Sequence, residues 1–335
     1  MEILSRVHAR NLVAWAKDRP DVLVLSADLT SSCEADLFRD TYPNRFFSMG
    51  MAEQNMLGFA GGLAREGFLP HVHTFAVFLY RRAYDQLANS IAYPNLRVRL
   101  FGFLPGITTP GGATHQAIED IGVLRMLPNM TLVEVGDATE VETVLDAIHG
   151  VNGPVYVRML RGEMPRLFDR SEPLRLGQAR VLSVGTDLAL LTSGICTEEA
   201  MRATAVLRAR GVSLSHLHVS TLKPFVDPAV LDAVAQARHG AITLENHTVI
   251  GGLGTALSEM LTDAGASKRV MRLGLQDQFS HGASRPYLMR EHGLDARALV
   301  QAVEAALDTR LGIDESELDA VRLDVVHSAA KAEAL

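Results

Sequence analysis

The sequence has 335 residues, of which 47% are hydrophobic and 21% charged, and its 32 Lys+Arg against 39 Asp+Glu give a formal charge of −7. That length predicts two or three domains, and the composition is typical of a globular chain and excludes extensive disorder. A mildly acidic chain without a basic run is unsuited to a phosphate backbone, so nucleic acid is not expected as a partner.

The first half alternates short apolar runs with amphipathic segments. Apolar, β-branched runs predict strands at 22–29, 68–75, 96–103, 130–135 and 153–160. Helical spacing of apolar residues predicts helices at 53–66, 78–92, 116–126 and 138–149. Strand–helix alternation of this kind predicts an α/β domain with a mainly parallel sheet flanked by helices, placed at residues 1–164.

A segment with prolines, mixed charge and no period predicts a linker at 165–178. The alternation then resumes and predicts a second α/β domain of the same class at 179–310. Its strands are expected at 186–194, 212–220, 241–246 and 268–275, and its helices at 197–211, 228–237, 254–265 and 295–307. The charged tail, residues 311–335, is expected to be helical or flexible and has no assigned function.

No segment carries a targeting, membrane or metal signature. The N-terminus has no uninterrupted apolar region and no stretch reaches about 18 uncharged apolar residues, so neither a signal peptide nor a membrane partner is expected. Two cysteines, Cys33 and Cys196, exclude a disulfide framework and a C-x-x-C site. The expected location is therefore the cytoplasm. Without a P-loop or an H-E-x-x-H motif, no metal site is predicted on this chain.

Glu53 stands at the start of a predicted helix rich in Met, Leu, Ala and Gly. It is the only ionisable residue between Met49 and Ala64. Such a carboxylate is either a solvated helix N-terminal residue, which the helix dipole favours, or a partly desolvated functional acid. The second interpretation requires a buried basic nitrogen for the carboxylate to meet.

Three ring-bearing residues farther along the chain are further candidates for a site. Phe75 and Phe78 are three residues apart, a spacing that fits core packing or an aromatic platform for a flat heterocycle. His115 follows the glycine-rich segment 110–114, and a histidine on such a loop is well placed for ligand contact.

Nine short motifs occur in the same order and at similar spacings as in a known enzyme family. The chain resembles the C-terminal two thirds of transketolases, and closely the second subunit of split, two-component transketolases, from about Leu4 to Leu307. The motifs are S-A-D-L (26–29), G-M-A-E-Q-N-M (50–56), T-F-x-x-F (74–78), R-A-Y-D-Q (82–86), T-H-Q (114–116), L-R-x-x-P-N-M (124–130), T-L-K-P-F (221–225), E-N-H with G-G-L-G (245–254) and F-S-H-G-A-S (279–284). The resemblance implies a pyrimidine-binding domain followed by the transketolase C-terminal domain.

The cofactor that the resemblance implies is thiamine diphosphate. Glu53 matches the glutamate that hydrogen-bonds N1′ of the aminopyrimidine, where a desolvated carboxylic acid can exchange a proton. Phe75 and Phe78 match the aromatic residues around the pyrimidine, and Met51 lies in the same cofactor-binding motif. His115 matches a catalytic histidine that faces the reacting carbonyl.

For the substrate, the resemblance implies an anion site. Arg161 falls where transketolases keep an arginine for the terminal phosphate; Ser32 lies near a serine of that site, and Arg6 matches after a one-residue shift. His73 could point toward substrate or be a satisfied, half-buried strand residue.

Two departures from the family pattern concern hydroxyl recognition. Gly111 replaces an acidic residue four positions before the loop histidine, and Phe103 replaces a second histidine. A donor or acceptor outside the standard pentose-phosphate pair is therefore expected, such as a modified, sulfonated, branched or short aldehyde or ketose.

The family's diphosphate-binding domain has no counterpart in the sequence. Its G-D-G…N segment is matched only by Gly136-Asp137-Ala138, where Asp137 is expected to cap a helix. A separate N-terminal subunit is therefore expected to supply most of the contacts to Mg²⁺ (or Ca²⁺) and to the diphosphate. The two subunits are expected to form an α2β2 complex, and the isolated chain is expected to be inactive.

The expected activity is transfer of a two-carbon ketol unit from a ketose to an aldehyde. The alternatives are the β subunit of a 2-oxo acid dehydrogenase E1-type enzyme, a deoxyxylulose-phosphate-synthase-like enzyme, and a degenerate subunit that only binds a partner.

Overall fold

The computed structural model describes residues 2–321, and the part of the expected tail at 322–335 lies outside them. The first half contains eight strands: β1 Ile3–Ser5, β2 Val22–Ser26, β3 Phe46–Ser48, β4 Leu69–Phe75, β5 Arg99–Phe103, β6 Thr131–Glu134, β7 Val155–Met159 and β8 Glu163–Pro165. Its helices are α1 Val7–Trp15, α2 Asp36–Thr41, α3 Glu53–Arg65, α4 Ala76–Arg81, α5 Tyr84–Gln86, α6 Asp120–Arg125 and α7 Ala138–His149.

The second half begins after the predicted linker. Its strands are β9 Arg180–Ser183, β10 Leu188–Thr192, β11 Leu214–His218, β12 Thr221–Lys223, β13 Ala241–Thr248 and β14 Val270–Leu275. Its helices are α8 Cys196–Ala209, α9 Pro228–Gln236, α10 Leu253–Asp263, α11 Arg285–Glu291, α12 Ala296–Leu307 and α13 Glu315–Ala320. Asp314 caps α13, which lies within the segment expected to be a helical or flexible tail.

Two mainly parallel sheets organise the described residues, so the predicted fold class is confirmed. The larger has seven strands in the order β12-β6-β7-β5-β4-β2-β3, and the smaller has five in the order β14-β13-β10-β11-β9. Every residue of β2, β4, β5 and β7 is buried, as expected for parallel strands covered on both faces. Strands β1 and β8 form a separate antiparallel pair.

One strand crosses between the halves. β12 follows the second-half strand β11 in sequence but pairs antiparallel with β6, at the edge of the seven-stranded sheet. This crossing brings the second half against the carboxyl end of β6 and the helix that follows it.

Two predicted helices are shorter or broken. The segment 78–92 forms α4, α5 and a π-helical stretch at Leu87–Ala92 instead of one helix, with a non-helical backbone at Ala83. The segment 116–126 becomes helical only at Asp120, because Ala117 bridges to Pro105 and Gly106. In the second case a tertiary contact overrides a local helical pattern.

Within the described part of the chain, no helix is both long and apolar enough to cross a membrane.

Candidate active site

The predicted site residues follow the carboxyl ends of neighbouring parallel strands. Ser32 lies after β2, Glu53 after β3, Phe75 at the end of β4, His115 after β5 and Arg161 after β7. Parallel strands present these ends at one edge of the sheet, where α/β proteins bind ligands.

Glu53 is both a helix N-terminal residue and a desolvated acid. It is the first residue of α3, and its side chain is 2% exposed. The Arg82 guanidinium donates a hydrogen bond from Nη1 to the Glu53 Oε1 at 2.9 Å. The carboxylate thus meets a basic nitrogen in the chain itself, and that nitrogen belongs to a side chain that is 46% exposed.

Two phenylalanines form a platform beside this carboxylate. The rings of Phe75 and Phe78 are stacked, with centroids 5.9 Å apart and an interplanar angle of 25°. The Arg82 guanidinium carbon lies 3.9 Å from the centroid of the Phe78 ring. A planar N–H donor therefore contacts both the Phe78 ring and the Glu53 carboxylate.

The His115 ring approaches the same platform edge-on. Its centroid lies 5.3 Å from that of Phe78 at 71°, and Thr114 Oγ1 is 2.9 Å from His115 Nδ1. Arg81 fixes the loop from the other side: its Nη1 donates to the Ala113 carbonyl at 3.0 Å, and its Nε pairs with Glu119 at 2.6 Å.

The second half of the chain supports the His115 loop. Gln116 Nε2 donates to the His281 carbonyl at 3.1 Å. A Cβ on Gly112 would lie 3.2 Å from the Gly282 nitrogen, so the two backbones approach closely there. Arg158 Nη2 donates to the carbonyls of both Ala117 and Asn246, at 3.0 Å each.

A second cluster contains the residues predicted for an anion. Arg161 Nη1 donates to the Ser32 carbonyl at 2.9 Å. The Arg6 backbone N–H donates to the Gly162 carbonyl at 3.1 Å, and the Arg6 guanidinium pairs with Asp36. The structure therefore brings Arg6, Ser32 and Arg161 into one connected group.

His73 and Met51 have contrasting surroundings. His73 is fully buried, its Nε2 lies 2.9 Å from the Nε2 of His8, and its ring stacks on Phe101 at 4.8 Å. Burial lowers the pKa of His73 to about 4, which keeps the ring neutral. Met51 is 79% exposed in the loop before α3. A substrate role for His73 and a cofactor role for Met51 stay predictions.

Asp137 caps α7, as expected. Its Oδ1 accepts the Glu140 N–H at 2.9 Å, and its Oδ2 accepts the N–H groups of Leu167 and Phe168 at 2.9 Å each. Across residues 2–321, no three His, Cys, Asp or Glu side chains are grouped so as to hold a metal ion.

Comparison with known proteins decides the family. Residues 4–166 match the family model described as transketolase, pyrimidine binding domain, and residues 177–299 match transketolase, C-terminal domain. An uncharacterized transketolase family protein of Sinorhizobium fredii is 39% identical over 303 residues, which cover 90% of this chain and 87% of that protein. The chain belongs to the transketolase family.

Some of the similar proteins are about as long as this chain, and others are longer. The 6-deoxy-6-sulfo-D-fructose transketolase subunit of Clostridium sp. (strain MSTE9) is 35% identical over 300 residues, which cover 89% of this chain and 92% of that subunit. A solved split gene transketolase, described as an inactive β4 tetramer, superposes with a TM-score of 0.82 at 36% identity, covering 90% of this chain and 97% of that one. The chain also matches 1-deoxy-D-xylulose-5-phosphate synthase of Chlorobium luteolum at 33% identity, but spans only 48% of its length.

The structure of this transketolase-family chain adds site residues that the sequence did not single out. Arg82 begins the R-A-Y-D-Q motif, which signalled the family without indicating contact with Glu53. Arg81, Gln116 and Arg158 fix the His115 loop through partners 32 to 165 residues away. Local sequence patterns carry no signal for such distant pairs.

Proposed function

We propose that this chain supplies the pyrimidine-facing half of a thiamine diphosphate site in a two-component transketolase. The observation that carries the proposal is the buried Glu53 carboxylate beside the Phe75–Phe78 platform. The residues fit the cofactor, because the flat Arg82 guanidinium already satisfies the carboxylate and covers the Phe78 ring. A flat aminopyrimidine requires the same two contacts, and Arg82 would withdraw toward solvent when it binds.

Bound thiamine diphosphate would supply the nucleophilic carbon that takes up a two-carbon ketol unit. Glu53 would hold a proton at N1′ of the pyrimidine, where its low-dielectric surroundings strengthen the hydrogen bond. Phe75 and Phe78 would orient the ring by stacking and exclude water from it. His115, fixed beside Phe78, would donate a hydrogen bond to the substrate carbonyl oxygen and relay its proton.

The diphosphate end of the cofactor would belong to a separate subunit. In support, both carboxylate oxygens of Asp137 accept backbone N–H groups, one of them as the cap of α7. The described residues also offer no cluster of acidic side chains for Mg²⁺ or Ca²⁺. A split-gene relative that is inactive as a β4 tetramer fits the same division. We propose an α2β2 complex, in which the isolated chain is inactive.

The substrate proposed is an anionic sugar outside the standard pentose-phosphate pair. A Cβ on Gly111 would lie 2.9 Å from the Cβ and Cγ of His115, so a side chain there would displace the histidine. Phe103 is fully buried beside His8 and His73. Neither position offers a hydroxyl-reading group, whereas Arg6 and Arg161 suit a phosphate or sulfonate. Turnover of xylulose 5-phosphate with ribose 5-phosphate at rates typical of transketolases would contradict this substrate choice.

The second candidate is a 2-oxo acid donor, as in a deoxyxylulose-phosphate-synthase-like or dehydrogenase E1-type enzyme. The match to a deoxyxylulose-phosphate synthase over 90% of this chain supports a 2-oxo acid as the second candidate donor. A donor screen with the assembled complex, ketoses against pyruvate, separates the two reactions. Product from ketoses supports the proposed transfer, and product from pyruvate alone overturns it.

Glu53→Gln in the assembled complex tests the proposal. We expect the rate of two-carbon transfer to fall about 10²- to 10⁴-fold, because the amide cannot exchange the proton. Glu66→Gln is the matched control, since Glu66 is an exposed residue at the other end of α3. Equal activity of the two variants would contradict the assigned role and would favour a subunit that only binds a partner.

A further inference from the structure

One buried carboxylate, that of Glu34, lies next to the cluster of Arg6, Ser32 and Arg161 and has no assigned role. Glu34 is 3% exposed, and carboxylates are rarely buried to this degree unless they are paired. Its Oε1 accepts the Gly162 N–H at 2.8 Å, and its Oε2 accepts the Ala9 N–H at 3.3 Å. These partners are 128 and 25 residues away, so Glu34 joins three separate segments.

Each of these segments carries one residue of the proposed anion site. Arg161 directly precedes Gly162, Arg6 lies three residues before Ala9, and Ser32 lies two residues before Glu34. The segments are also connected directly, through the Arg161 bond to the Ser32 carbonyl and the Arg6 N–H bond to Gly162.

The backbone is strained at two of these places. Arg6 and Glu34 have φ values of 51° and 52°, in the left-handed region that non-glycine residues rarely adopt, whereas Gly162, at 71°, adopts that region without steric cost. Strained residues cluster at ligand sites, where surrounding contacts determine them. Here the two N–H bonds to Glu34 supply such contacts.

The arginines that Glu34 would position offset part of the cost of burying its charge. Burial raises the pKa of Glu34, whereas the N–H groups of Gly162 and Ala9 and the charges of Arg6 and Arg161 oppose that rise. The carboxylate therefore interacts with both arginines electrostatically while its bonds go to the backbone of their segments.

We propose that Glu34 is a positioning residue that fixes Arg6, Ser32 and Arg161 around the anionic end of the substrate. It acts through the backbone segments and does not touch the substrate. The inference rests on the proposed function, because it assumes that this cluster binds a phosphate or sulfonate group.

Glu34→Gln in the assembled complex tests the inference. The amide keeps the volume but offers one acceptor oxygen in place of two and removes the charge. For a phosphorylated ketose we expect KM to rise about tenfold with kcat nearly unchanged, which corresponds to ~1.4 kcal/mol. For the same ketose without phosphate, kcat/KM should match that of the wild-type complex. Inhibition by inorganic phosphate should weaken in parallel with the rise in KM.

Glu245→Gln is the matched control for loss of a buried carboxylate. Glu245 is fully buried and likewise accepts two backbone N–H bonds, from Leu253 and Gly254, but it lies in the C-terminal domain. Glu34→Asp keeps the charge and should recover part of the affinity for the phosphorylated ketose. An equal KM increase for both ketoses, or the same effect from Glu245→Gln, would overturn the inference.

Arg161→Ala separates this inference from the proposed function. If Arg161→Ala weakens phosphate inhibition and Glu34→Gln does not, the anion site stands and the positioning role is wrong. If Arg161→Ala leaves phosphate inhibition unchanged, the proposed anion site is wrong, and the positioning role of Glu34 is wrong as well. If Glu34→Gln and Glu34→Asp both fail to assemble while Glu245→Gln assembles, Glu34 serves folding and the inference is also overturned.

Discussion

Replacing Arg158 by methionine should destabilise the folded chain by about 3–5 kcal/mol, because two buried carboxylates would lose the cation between them. The Arg158 side chain is 1% exposed, and its partners Asp120 and Glu134 are 0% and 2% exposed. Burial alone would lower the pKa of Arg158, but these two carboxylates outweigh burial and raise it. The guanidinium is therefore firmly charged.

The magnitude follows from what remains after the change. Arg158 donates to Asp120 through Nε at 2.9 Å and through Nη2 at 3.1 Å, and it also donates to Glu134. After substitution Asp120 keeps the hydroxyl bond of Tyr156 at 2.6 Å, whereas the Glu134 Oε2 has no partner even in the wild type. Against a typical total stability of about 5–15 kcal/mol, the loss is large.

Thermal and urea unfolding would measure the effect, and we expect the melting temperature to fall by roughly 6–20 °C. Arg170→Met is the control, because Arg170 is 62% exposed and pairs with Glu2 at the surface, so its loss should cost less than ~1 kcal/mol. Combining Arg158→Met with Asp120→Asn and Glu134→Gln should recover much of the stability. Equal melting temperatures for Arg158→Met and Arg170→Met would refute the reasoning.

Two further predictions concern Arg82 and Glu245. Arg82→Gln should strengthen thiamine diphosphate binding to the complex several-fold, because no guanidinium must leave Glu53. Fluorescence titration would measure this, with Arg170→Gln as the control, because Arg170 is an exposed arginine that pairs with Glu2 at the surface; weaker binding by Arg82→Gln would mean that Arg82 binds the cofactor. Burial raises the pKa of Glu245 from 4.5 to about 7, so the stability present below pH 4.5 is lost as the pH rises toward 7. Between pH 4.5 and 8, wild type should therefore lose roughly 3 kcal/mol relative to Glu245→Gln in urea unfolding, and parallel profiles would contradict this.

Much of the fold could be predicted from sequence because its signals are local. The buried strands β2, β4, β5 and β7 lie in mostly apolar runs, and α7 has a capping aspartate. The short strands β1, β3, β8 and β12 were not predicted, since three residues carry no period.

The candidate site was predictable where one residue type carries the chemistry. Glu53 stood out because it is the only ionisable residue in an apolar stretch, and His115 because it follows a glycine-rich loop. Glu34 and Arg158 gave no such signal: each lies in an ordinary local pattern, and its importance arises from partners up to 128 residues away in the chain.

The crossing of β12 has a consequence for dissecting the protein. A fragment that stops after the first family match at residue 166 would lack Thr221–Lys223 and would leave β6 as a bare sheet edge. Unpaired edges invite intermolecular pairing, so such a truncation is a poor choice for expression, and the two halves are best treated as one cooperative folding unit.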